Sequence, residues 1–145
     1  MSAGVSAGFL RRAAALVYDT LLLAALLVAF TAVALLATHG RAMMPENVGA
    51  WAYVYRSGLG CIVAGYFIVN WTRSGQTLGM RAWRLHAVDE HGKRLKVGAA
   101  ALRFVCAVAC WLPAALGVLW LYVDPQHLAL HDRLSKTRLV FLPSP

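Results

Sequence analysis

Polar positions are sparse along this chain, and where they fall divides it. From Ala13 to Ala37 the sequence reads AAALVYDTLLLAALLVAFTAVALLA, apolar all round rather than along one helical stripe. A helix of that kind belongs in a large core or in a membrane. At about 1.5 Å per residue it reaches ~37 Å, enough to cross a hydrocarbon layer of about 30 Å. A second run, WAYVYRSGLGCIVAGYFIVNW, extends from Trp51 or Tyr53 to Trp71. Its ends are aromatic, as expected where rings sit at headgroup level. A third, Val97 to Val123, carries Arg103 near its start and Pro113 near its middle. In the basic loop 72–96, Trp83, Leu85 and Ala87 alternate with Arg84, His86 and Val88, then DEHG leads into KRLKV. Alternation followed by a glycine-bearing turn predicts a short β-hairpin at the membrane face, with a basic amphipathic helix as the competing reading.

The pattern predicts an all-α integral membrane protein forming one domain over 1–145. Two full spans lie at about 13–37 and 53–71, a third element at 97–123, and a tail at 124–145. Basic residues then orient it. Arg11 and Arg12 precede the first span, Arg73, Arg81, Arg84, Lys93, Arg94 and Lys96 lie in the loop, and Arg133, Lys136 and Arg138 in the tail. The intervening loop before the second span holds only Arg41. The positive-inside rule therefore places the N-terminus, the long loop and the tail in the cytoplasm. An odd number of complete spans cannot do that. Pro113, within CWLPAALG, suggests a broken or re-entrant third element, tolerated at that depth where protein or water covers the backbone. The competing reading is a single Pro-kinked span with the tail outside.

Composition narrows the class. Hydrophobic residues make up 60% and charged residues 14% of the chain, against about 25% charged in soluble domains. A net charge of +8 in so apolar a chain reads as anchoring at an anionic bilayer surface, not as nucleic-acid binding. The first run is too long for a signal-peptide core, contains Asp19 and lacks a clean cleavage site, so it is expected to persist. Cys61, Cys106 and Cys110 have no C-x-x-C spacing and read as packing residues. No P-loop, nucleophile elbow or H-E-x-x-H occurs; Glu46 lies alone in the outer loop, and Asp89 and Glu90 read as solvated charges in a turn. Neither an enzyme nor a cofactor is expected.

Candidate chemistry lies in the membrane charges. A carboxylate at Asp19 is costly there unless paired, neutralised or turned inward. Arg12, seven residues earlier, shares its helix face. Arg103 enters from the same side to a similar depth, so the expected cluster is an Asp19–Arg103 pair completed by Arg12. Its functional reading is a proton- or cation-linked site; its structural reading is a buried ion pair that fixes helix register. In the second span, Ser57 with Cys61, Gly60 with Ala64, and Cys61 with Gly65 form a small-residue packing face. In the tail, His127 and His131 are four apart near Asp124 and Asp132. Two histidines alone do not close a metal site, so none is expected. The tail should instead dock through His131 and Asp132, with Asp132 accepting from Arg12 or Arg81.

The blocks GFLRRAAALVYDTLLL, GQTLGMRAWRLHAVDEHGKRL and LALHDRLSKTRLV, in that order, strongly resemble the RDD family of small, mostly bacterial membrane proteins, from about Gly8 to Val140. The family is named for an arginine and two aspartates; by spacing the arginine and the first aspartate map to Arg12 and Asp19, and the resemblance carries the second aspartate onto Asp132 of the LHD motif. Family members often read GQTPGKR where this chain has Leu78 and Met80, which removes any anionic contact of that lysine. The resemblance implies a multi-pass protein of the bacterial cytoplasmic membrane and suggests transport of an unidentified ligand. Two and a half helices cannot enclose a path alone. Two functions follow: a homo-oligomer carrying a small ligand or ion past Asp19 and Arg103, or an accessory or scaffold subunit of another membrane protein.

Overall fold

The computed structural model describes residues 5–6, 8–39, 50–111 and 130–141. Within them the first two apolar runs are helices long enough to cross a membrane, α1 (Phe9–Ala37) and α2 (Ala50–Arg73). They pack antiparallel, as three contacts show. Tyr66 Oη donates to Asp19 (2.6 Å), Tyr55 Oη meets Thr31 Oγ1 (2.7 Å), and the Phe30 and Tyr55 rings stack at 5.9 Å. Close approach occurs at Gly58, where a Cβ would come within 2.7 Å of the Phe30 ring. The small-residue face turns away from this contact. Ser57, Gly60 and Cys61 are exposed and Ala64 and Gly65 half-buried, and a Cβ on Gly60 or Gly65 would meet nothing within 4 Å among the described residues.

The buried residues of α1 are Arg12, Ala15 and Asp19. That seam follows helical i, i+3, i+7 spacing, and two of its three members are charged. Leu21, Leu26, Val28, Val33 and Leu36 are exposed instead. Polar residues inward and apolar residues outward is the arrangement a lipid solvent selects.

The short helix α3 (Leu78–Ala82) follows α2, and α4 (Val97–Trp111) begins the third apolar run. Phe67 meets Phe104 at 6.1 Å and Arg103 lies 5.1 Å from the Trp71 ring, which sets α4 against α2. The rest of that run, with Pro113 and the expected re-entrant turn, lies outside the described residues, as do Asp124, His127 and Glu46.

The chain is mostly helical but not all-α. Strands β1 (Val5–Ser6), β2 (Leu85–Asp89) and β3 (Thr137–Phe141) form one antiparallel sheet in the order β1–β3–β2. The expected hairpin is reduced to a single bridge, Val88 to Arg94, and the true partner of β2 is the tail, from Leu85↔Phe141 to Asp89↔Thr137. The reason is length. The Asp89 carboxylate accepts from the His91 and Lys93 amides, closing a tight turn with Gly92 at φ 76°. Leu95 then dives into the core and α4 starts at Val97, so no second arm remains to pair.

A pattern recurs on the two sides of this sheet. Helix α3, then Arg84 at φ 55°, leads into β2; helix α5 (Leu130–Leu134), then Lys136 at φ 51°, leads into β3. The amides of Arg84 and Lys136 donate to Arg81 O and Arg133 O, the same reach in each unit. Below the sheet, Trp71, Met80, Leu85, Ala87, Leu95, Ala100 and Leu139 form the core. Because β1 precedes α1, β2 lies between α2 and α4, and β3 follows α5, one sheet gathers all three at a single end of the helices.

Candidate functional site

Two carboxylates organise the base of the helices, and the structure treats them differently. Asp132, in α5, is fully buried. Arg12 from α1 reaches its Oδ2 at 2.5 Å, and Arg103 from α4 reaches its Oδ1 at 2.7 Å. The same Arg103 nitrogen donates to Thr137 Oγ1, which meets Ser135 Oγ at 2.7 Å. Among the described residues Arg103 Nε has no hydrogen-bond acceptor, and the guanidinium lies over the Trp71 ring, whose π face supplies the remaining negative potential. Arginine suits this place because it stays charged and offers a planar fork to a carboxylate. One aspartate thereby ties the start of α1, the first turns of α4 and the tail together.

Asp19 is held by neutral donors. Tyr66 Oη (2.6 Å) and the Gly79 amide (2.9 Å) donate to its Oδ1, and Thr77 Oγ1 (2.5 Å) donates to Oδ2. Thr77 is also the N-cap of α3, accepting from the Met80 amide at 3.1 Å, so one hydroxyl caps a helix and clamps it to another. The fit needs glycine at position 79, since a Cβ would come within 2.1 Å of Ala15 O and 2.9 Å of Asp19 Cγ. The preceding turn is held in place too. Gly75, at φ 72°, accepts from the Ala87 amide at 2.8 Å, while Gln76 Nε2 donates to Leu85 O (2.9 Å) and lies 2.7 Å from His86 Nε2.

The expected Asp19–Arg103 pair is therefore not formed. Depth along a helix says nothing about azimuth, and Arg103 turns toward α5 and Asp132 while Asp19 turns toward α2 and α3. Arg12 joins Arg103, but on Asp132. Arg81 is exposed and makes no ion pair among the described residues. His131 lies in α5, and its side chain lies outside the described residues. No group of three or more His, Cys, Asp or Glu side chains gathers among the described residues.

Tyr66, Thr77, Gly79, Ser135 and Thr137 escaped the sequence reading. Two left a trace: Thr77 stands as an N-cap before LGMRA, and Tyr66 places a hydroxyl inside an apolar span, where it needs a partner.

Among known proteins, the model of the RDD family matches residues 6–136. No curated protein and no solved structure matches the chain.

Proposed function

The chain belongs to the RDD family, a family of membrane proteins, and on that premise we propose that it is a non-catalytic accessory or scaffold subunit of a larger membrane complex. One observation carries this reading: the buried charges are engaged inside the protomer. Asp132 is taken by Arg12 and Arg103, and Asp19 by Tyr66, Thr77 and Gly79. Such groups hold elements in register and leave the apolar helix faces for other membrane helices. The open face at Ser57, Gly60 and Cys61 supports assembly there, because small residues let backbones approach closely in lipid. In this reading the protein is multi-pass, sits in a bacterial cytoplasmic membrane, and turns its basic sheet end to the cytoplasm, in keeping with its cation distribution.

A second reading has one observation in its favour. The ligands of Asp19 are neutral, and no cation pairs with it among the described residues. A homo-oligomer carrying a small ligand or ion would use that carboxylate as its coupling group.

The deciding experiment is gentle extraction with a tagged copy, followed by mass determination of the intact complex. A stoichiometric foreign membrane protein is the expected result. A pure homo-oligomer, with flux that disappears in an Asp19→Asn variant of unchanged assembly, would overturn the accessory role in favour of transport.

A further inference from the structure

The surface around α3 and β2 is placed at an unusual depth. The Gly79 amide donates to Asp19 at 2.9 Å and the residue abuts Ala15, so α3 is clamped to α1 between those levels. The apolar run of α1 begins at Ala13, which puts α3 roughly 3–9 Å beyond its start at about 1.5 Å per residue. Helix α3 and the residues after it thus sit at the border between hydrocarbon and headgroups. Their outward side chains match that border. Leu78 is 51% and Trp83 39% exposed, with Arg81 and Arg84 exposed between and beside them.

The charge at this end is mostly positive, with Asp89 and Glu90 at the turn that ends β2 as its acids. Arg73, Arg81, Lys93, Arg94, Lys96 and Lys136 are all exposed. None has a carboxylate within ion-pair distance among the described residues, where both ion pairs fall on Asp132. Asp89 is occupied by the amides of its own turn. Arg94 donates to Arg73 O at 3.1 Å, which brings two of these cations together at the end of α2.

We propose that this end of the molecule, α3 with Trp83 and the cations around β2, is a binding surface for anionic phospholipid headgroups, seated in the leaflet. Phosphodiester charges complement the exposed guanidinium and ammonium groups, and the acyl border covers Leu78 and Trp83. A water-borne polyanion such as RNA would meet the charges but leave those apolar side chains uncovered, which favours lipid. Interfacial tryptophan and juxtamembrane cations act together in this way: the ring sets depth, and the cations select the leaflet by charge.

The test uses the full chain in nanodiscs, with amide hydrogen exchange of residues 78–89 as readout. Discs of phosphatidylcholine alone are compared with discs containing added phosphatidylglycerol. Exchange at 78–84 should slow about tenfold in the anionic discs and recover in raised salt. It should also recover in the variant Arg81→Gln/Lys93→Gln/Lys96→Gln, whose altered side chains make no ion pair among the described residues. Equal exchange in both discs would overturn the proposal, and so would slowing that persists in raised salt. The salt arm decides the matter even if the variant folds poorly.

Discussion

Replacing Asp132 by asparagine would leave the guanidinium groups of Arg12 and Arg103 facing a neutral amide in a buried site. Breaking a buried pair by removing one partner costs about 3–5 kcal/mol, whereas replacing the whole set with apolar side chains is often neutral or stabilising. Asp132→Asn should therefore lower thermal stability in detergent by about that much and expose the tail to protease. The triple change Arg12→Met/Arg103→Leu/Asp132→Leu should regain most of the loss. If both proteins melted like the parent, the triad would not be what holds the tail. Gly79 makes a steric counterpart. Its substitution by alanine drives a Cβ to 2.1 Å from Ala15 O, while Gly65→Ala enters open space. Overpacking of this kind costs about 1–3 kcal/mol, so Gly79→Ala should melt well below Gly65→Ala, which should match the parent protein.

At the level of elements, the sequence was legible where a single segment declares itself. The apolar runs announced α1 and α2, and alternation gave the inward face of β2, with Leu85 and Ala87 fully buried. Partners were not legible, because period-2 alternation fixes which residues point inward but not which strand lies alongside. The tail TRLVF carries the same kind of signal, yet its pairing spans some 50 residues of intervening chain. The two helix-to-strand units show one rule behind both strands, with a basic residue in the left-handed region where glycine is commoner. The β2 unit also carries a titrating group. Burial, and then Arg94, hold His86 below the usual histidine range, so the folded state favours neutral imidazole. In that form Nε2 can accept from Gln76. The unfolded chain takes up a proton near pH 6.5 while the folded one resists. Stability is thus level above that value and falls as the pH drops toward the lowered folded pKa. Melting curves across mildly acidic pH should show this decline in the parent and a shallower one in His86→Gln. Parallel slopes would assign the decline to another group.

For the whole molecule, the sheet is the strongest constraint on topology. A central β3 bonded to β1 on one side and β2 on the other requires that the residues before α1, between α2 and α4, and after α5 meet at one end of the helices, and so on one side of any membrane that α1 and α2 cross. Positive charge alone argued for this arrangement from the sequence, but it could not say that the three segments touch. Hydrogen bonds between strands make the requirement geometric, since no strand can pair across a hydrocarbon layer of about 30 Å. Single cysteines placed at Ser2, at Glu90 and at Ser144, in a background with Cys61, Cys106 and Cys110 replaced by serine, give the direct measurement. In sealed vesicles of one orientation, a membrane-impermeant maleimide should label all three sites or none, and inverting the vesicles should reverse the result for all three together. Labelling of position 144 from the face opposite to positions 2 and 90 would be incompatible with β3 at the centre of the sheet. It would also remove Asp132 from reach of Arg12, because the five residues of β3 follow Asp132 after only a short turn. The vesicle experiment thus tests the fold and the charge triad in one measurement, without any assumption about what the protein assembles with.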